Sequence, residues 1–178
     1  WIIVDDCSTD TSGIICEEFS TKDARFHVCH QKENKGVSAA RNAGLAEISG
    51  DYVCFVDSDD MLPADSLEKR IEGMDNDTLV VSCYEKLQED NTSEFCSFDK
   101  NEYHSSDFIE FLFINSPYGY QGYLWNKLFS TEVIKIVEPS FTILYLVVVS
   151  FLLFAYSSSI SEIGAAKITS TLPSIKFL

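Results

Sequence analysis

The sequence predicts an α/β fold with a mostly parallel sheet and flanking helices. Three observations carry that prediction. Short apolar runs suited to strands alternate with segments of helical periodicity over roughly the first 138 residues. One such run, residues 52–56, ends in three carboxylates within four positions, Asp57, Asp59 and Asp60. Another, residues 1–4, ends in Asp5 and Asp6. In open α/β sheets ligands bind beyond the carboxyl ends of the strands, and parallel strands would put both acid tips on one edge.

Each element has its own warrant. Residues 1–4 read as a buried strand and residues 5–10 as the loop after it. A helix is expected over 11–20, with Ile14, Ile15 and Phe19 on one face and Asp10 placed to cap it. Residues 26–30 form a short strand, and residues 31–36 a polar loop. The helix over 37–48 is built on small residues (Ala39, Ala40, Ala43, Gly44, Ala46), which let it approach its neighbours closely; Gly50 suits the position after it. The strand over 52–56 is near-continuously apolar, as if buried on both faces. Pro63 opens the next helix, with Asp65 and Glu68 at capping-box spacing and Leu67, Ile71 and Met74 as its stripe. Residues 78–84 read as a strand, 85–105 as a polar surface excursion and 106–115 as an aromatic-rich helix. A short element over 124–129 and a short helix over 130–137 follow.

Composition narrows the class. The formal net charge of −15 argues against a nucleic-acid groove, which needs a basic stripe. Residues 1–138 hold 27 of the 28 acids and 11 of the 13 bases, so composition changes at Pro139. We expect a domain over 1–138 and an apolar, Ser-rich tail over 139–178. The cysteines Cys7, Cys16, Cys29, Cys54, Cys83 and Cys96 form no Cys-x-x-Cys pair, which suits free thiols in a reducing cytosol. No signal peptide is legible, and a chain that opens mid-strand on Trp1 reads as a fragment. Residues 141–156 are apolar apart from Thr142 and Ser150. That run is shorter than a membrane helix needs. A short membrane anchor, a buried strand pair and an aberrant tail are all compatible with it; the sharp change at Pro139 favours the last.

The acids carry the chemistry. Asp57, Asp59 and Asp60 crowd one strand end and raise one another's pKa unless a cation neutralises them. An oxygen-ligand site for a divalent metal, completed by a substrate phosphate, is the economical reading; the bland one is a solvated turn. Asp5 and Asp6 can accept hydrogen bonds from a nucleobase or ribose, or can merely start a helix. Between these tips lies Asn34-Lys35-Gly36-Val37-Ser38-Ala39-Ala40-Arg41-Asn42-Ala43-Gly44-Leu45. Its helix start favours a phosphate, whereas Arg41 alone is more often a surface ion-pair residue.

Ile-Ile-Val-Asp-Asp-Cys-Ser-Thr-Asp, the Asn34-to-Leu45 motif and Gly-Asp-Tyr-Val-Cys-Phe-Val-Asp-Ser-Asp-Asp, in this order and spacing, resemble a family 2 glycosyltransferase of the GT-A fold. Tyr123-Leu124-Trp125-Asn126-Lys127-Leu128-Phe129 resembles its bacterial polysaccharide-type members. The resemblance covers about residues 1–138. It implies a nucleotide-sugar donor, a UDP-sugar foremost, with Mg²⁺ or Mn²⁺, and a saccharide or lipid-linked acceptor. Asp6, with Asp5 beside it, would bind the nucleobase, and Arg41 would line the nucleotide pocket. Asp57, Asp59 and Asp60 match the DxD region that holds ribose and the metal on the diphosphate. Transfer would invert the anomeric carbon. The implied location is cytoplasmic, with membrane association through 141–156.

Two departures from the family pattern set a further expectation. The family's leading strand and helix, roughly thirty residues, are not in this sequence. Its acceptor-side Glu-Asp pair, which carries the base, is not found after Trp125-Asn126-Lys127, so the base is unassigned. The chain as given is therefore expected not to transfer sugar. Three other readings compete. A phospho-signalling receiver shares the Asp5–Asp6 pair and a later Asp57, but lacks the Asn34-to-Leu45 motif. Asp57-Ser58-Asp59 also suggests a haloacid-dehalogenase-type phosphatase, although Met61 stands where Thr or Val is usual. The third is a non-catalytic nucleotide-binding remnant.

Overall fold

A computed structural model describes residues 1–74, 79–90, 92–97, 102–104, 123–136 and 174–177. The helix expected over 106–115, the boundary at Pro139 and the apolar run over 141–156 lie outside the described residues. The chain divides into two compact units. The first contains β1 (Ile2–Asp5), α1 (Ser12–Lys22), β2 (His27–His30), α2 (Val37–Ala46) and α4 (Thr131–Ile136). The second contains β3 (Tyr52–Cys54), α3 (Ser66–Glu72), β4 (Leu79–Val81), β5 (Tyr84–Leu87), β6 (Ser93–Cys96), β7 (Glu102–His104), β8 (Lys127–Ser130) and β9 (Ser174–Phe177).

In the first unit β1 and β2 form a parallel ladder, from Ile2 opposite His27 to Asp5 opposite His30. The small residues of α2 do what their size predicts. A Cβ on Gly44 would stand 3.4 Å from Val4 Cγ2, so the helix backbone lies close over β1, and Leu45 is buried. Asp10 accepts from the Ser12 N–H at 2.9 Å, which satisfies one free donor of α1. The apolar face foreseen for α1 is not covered: Ile14 is 63% exposed, and Ile15 and Phe19 are about half exposed. Two strands offer too little sheet to cover a helix face. Phe19 instead meets Phe26, ring centroids 5.7 Å apart. Thr131 ties α4 to residues 50–51, donating its N–H to Asp51 O (2.9 Å) and its hydroxyl to Gly50 O (2.7 Å).

In the second unit the sheet order is β3-β8-β4-β9-β7. β4 and β9 run parallel; β3 and β4 are each antiparallel to β8, and β7 to β9. Val80, Val81, Leu128 and Phe129 form its core where β4 meets β8. β3 differs from the sequence reading. Among the described residues it is an edge strand of three residues, paired on one side only, with Tyr52 exposed. Its apolar run reflects one-sided packing, such as Phe55 edge-on to Phe129 at 6.1 Å, not burial on both faces. The polar excursion contains a β5–β6 hairpin, closed by Gln88 N–H donating to Thr92 O at 2.9 Å. α3 begins three residues after Pro63. Asp65 precedes it without capping it, its carboxylate pairing with Lys69 at 2.7 Å.

Candidate nucleotide-sugar site

The tip of β1 is organised by its two aspartates, which do different things. Asp5 is buried. Its Oδ1 accepts the Ser8 N–H at 3.0 Å, and its Oδ2 lies 2.8 Å from His30 Nδ1. Hydrogen bonding from Ser8, then from His30, holds the Asp5 carboxyl below the usual carboxylate range. His30 Nε2 lies 2.8 Å from Glu17 Oε1, so the imidazole bridges two acids; Asp5 first and Glu17 second raise its pKa. A Cβ on Gly13 would stand 3.1 Å from Asp5 Oδ2, so the start of α1 passes close to this pair.

Asp6 faces the next motif. Its Oδ1 accepts the Lys35 N–H at 3.0 Å and its Oδ2 the Gly36 N–H at 2.7 Å. Gly36 has φ +83°, a left-handed conformation that glycine adopts without strain. Asp6 thus pins the loop that launches α2 to the tip of β1, joining two motifs that lie thirty residues apart in sequence. The turn between the acids and α1 is itself strained: Cys7 has φ +59°, uncommon for a residue with a Cβ. Its thiol donates to Lys32 O at 3.8 Å. Arg41 lies half-buried on α2.

After β3, residues 57–60 close a turn through Asp60 N–H donating to Asp57 O at 3.0 Å. Burial first, then the charges of Asp57 and Asp59, push the Asp60 carboxyl pKa up. The charge effect foreseen from the sequence is thus present at Asp60, second to burial. No group of three or more His, Cys, Asp or Glu side chains is arranged to hold a metal among the described residues.

Asp59 and Asp60 also line a cleft of about 1190 Å³ in the second unit, with Arg70, Ser82, Tyr84, Tyr123 and Trp125. Its aromatic wall is one cluster. Trp125 meets Tyr84 edge-on at 4.8 Å and stacks on Tyr123 at 5.2 Å. Buried polar groups hold the segment that carries it. Arg70, 5% exposed, donates from Nη1 to Trp125 O at 3.2 Å. Asn126 and Lys127 are fully buried. Ser82 N–H donates to Asn126 O at 2.7 Å, and Lys127 Nζ donates to Tyr123 O and to Asn126 Oδ1, the latter at 2.9 Å. Burial pushes the Lys127 pKa down to about 7.

Sequence reasoning missed Arg70, His30 and Glu17. Arg70 had a signal: it sits three residues after Leu67 and four before Met74, the apolar-face spacing. The bridge made by His30 depends on strand register and had none.

A model of the family described as Glycosyl transferase family 2 matches residues 1–134. This chain belongs to the family 2 glycosyltransferases. EpsH of Bacillus subtilis, named as a glycosyltransferase, is 33% identical over 144 residues, covering 79% of this chain and 41% of EpsH. The glycosyltransferase GlyA of Streptococcus pneumoniae is 55% identical over 67 residues, 38% of this chain and 10% of GlyA. The chain thus spans less than half the length of either relative. S. aureus TarS, residues 1–349 in complex with UDP-GlcNAc, is 26% identical with a TM-score of 0.57 over 76% of this chain and 37% of that one. Another crystal structure of TarS 1–349 superposes with a TM-score of 0.62 over 99% of this chain and 48% of that one at 21% identity, a likeness of fold alone. The GT-A class is therefore the fold of this glycosyltransferase. A match running through both acid tips and the Asn34-to-Leu45 motif does not favour the receiver reading.

Proposed function

We propose that this glycosyltransferase chain binds a nucleoside diphosphate sugar, a UDP-sugar foremost, for transfer with inversion to a saccharide or lipid-linked acceptor. The observation that carries the reading is the Asp6 clip: it joins the first acid tip to the loop that launches α2, two of the three motifs within the matched region. That TarS, a 26% identical structural neighbour, has been crystallised with UDP-GlcNAc supports the donor class.

On this reading Asp5 shapes the pocket through Ser8 and His30, while Asp6 and Arg41 meet the nucleoside. Asp57 and Asp59 take ribose and diphosphate. The all-oxygen donor set of Asp57, Asp59 and Asp60 fits Mg²⁺ or Mn²⁺, and such ions commonly use one or two carboxylates plus substrate phosphates, so three converging side chains are not required. The ion would offset charge developing on the nucleoside diphosphate leaving group. The base that deprotonates the acceptor is unassigned, and on that ground we expect slow or absent transfer by the chain alone. We further propose that residues 1–138 form the catalytic portion, that residues 139–178 are an appended tail, and that the protein works in the cytoplasm, with membrane association through 141–156. Among the described residues no helix is long and apolar enough to cross a membrane.

Calorimetry of the purified chain with UDP in Mn²⁺ and in EDTA tests the donor reading. Binding that needs Mn²⁺ is expected, and equal binding in EDTA would refute the metal assignment. Released nucleotide and acceptor product from a panel of UDP- and GDP-sugars test transfer. Turnover above about 1 s⁻¹, an ordinary enzyme rate, would show that a base is in place.

A further inference from the structure

We propose that the cleft of the second unit is a saccharide subsite, in which Tyr84, Tyr123 and Trp125 take the apolar C–H face of an acceptor pyranose ring. The inference rests on the glycosyltransferase reading and adds the acceptor's seat to it. Two independent features support it. The first is surface chemistry. Tyr123 is 44% exposed and Tyr84 and Trp125 are half-buried, so a three-ring cluster keeps surface open to the cleft instead of closing a core. Tyr and Trp present an apolar face with a polar tip, which matches a ring whose faces carry C–H groups and whose rim carries hydroxyls. Asp59 and Asp60, placed above in the donor site, line the same cleft, so a ring on this wall would lie beside the donor end.

The second feature is preorganisation. Fully burying Asn126 and Lys127 is costly, and their bonds go to the segment that bears the rings: Lys127 to Tyr123 O and Asn126, Ser82 to Asn126 O, Arg70 to Trp125 O. A rigid wall lowers the ordering cost of binding a weakly held ligand. Asn126, Lys127 and Arg70 are thereby positioning residues.

The test uses the full chain in a Trp1→Phe background, so that emission reports Trp125. Cellobiose, maltotriose and N,N′-diacetylchitobiose are titrated separately, and UDP with Mn²⁺ in a parallel arm followed by calorimetry. At least one oligosaccharide should give a saturable emission change, about tenfold weaker in Tyr123→Ala and restored in Tyr123→Phe, while UDP affinity stays unchanged. No saturable change with any of the three, or equal affinity in Tyr123→Ala, refutes the subsite. A loss of UDP affinity in Tyr123→Ala would make the wall a nucleobase platform and refute it too. Should Tyr123→Ala fail to fold, Tyr123→Leu, which keeps apolar bulk but removes the ring, decides the same question. Failure of UDP to bind would count against the donor reading while leaving the oligosaccharide titration intact.

Discussion

Lys127 gives the sharpest quantitative prediction. Its side chain is fully buried, and burial pushes its pKa from 10.5 to about 7. A displacement of that size corresponds to about 5 kcal/mol of penalty on the charged form in the folded state. The unfolded chain holds the proton up to its ordinary pKa, while the folded chain releases it near 7. Between those values the unfolded state binds more protons, so this group makes stability rise with pH. Integrated from pH 7 to pH 9, the gain is about 2 kcal/mol.

Lys127→Met removes that dependence. It also leaves Tyr123 O and Asn126 Oδ1 without this donor, which costs about 1–3 kcal/mol each. The second effect is the same at both pH values. Other titrating groups, the thiols included, are common to both proteins. The assay is therefore reversible urea unfolding of the wild type and Lys127→Met at pH 7 and pH 9. The stability difference should shift by about 2 kcal/mol in favour of the wild type at the higher pH. Parallel pH profiles would mean that Lys127 keeps its proton when buried, and that burial does not govern its titration.

Three further outcomes are expected. The His30 imidazole should titrate above its ordinary pKa of 6.5, by NMR, and move back toward that value in Asp5→Asn, since Asp5 is the larger cause of its shift. Because its folded pKa is raised, the stability it contributes is full below 6.5 and is lost as pH rises through the folded value; a wild-type advantage over His30→Gln that instead grew across that window would contradict the bridge. Asp59→Asn should weaken Mn²⁺-dependent UDP binding more than Asp65→Asn, because Asp65 is engaged with Lys69; comparable losses by calorimetry would count against a metal role for the acid tip. Gly36→Ala should destabilise the chain by about 1 kcal/mol through its positive φ, with open space around the new methyl, and urea midpoints equal to wild type would show that the loop relaxes freely.

What the sequence made legible is what depends on local order and spacing. Helices at 12–22, 37–46 and 66–72, the acid-tipped strands and the close approach of α2 all follow from periodicity and small side chains. What it left hidden depends on which strands pair. The apolar run at 52–56 suits a central strand and an edge strand alike, and only its pairing with β8 decides between them. The same ambiguity exchanged Ile71 for Arg70: both sit on the stripe through Leu67 and Met74, yet Ile71 is half exposed and Arg70 buried.

The buried polar groups show why such exchanges matter for function. Arg70 and Lys127 look like solvated cations in the sequence, the default for their types. Each is instead buried at a cost that only a specific arrangement offsets. In both cases the bonds that offset it run to main-chain oxygens of the 123–125 segment. A chain needing only a core has no use for a charged group at those positions, since apolar side chains fill a core without the desolvation cost. Main-chain oxygens held this way fix the path of a loop, and this loop carries Tyr123 and Trp125 into the wall of the cleft that Asp59 and Asp60 also line. The stability lost at Arg70 and Lys127 is thus accounted for by the position of two aromatic rings.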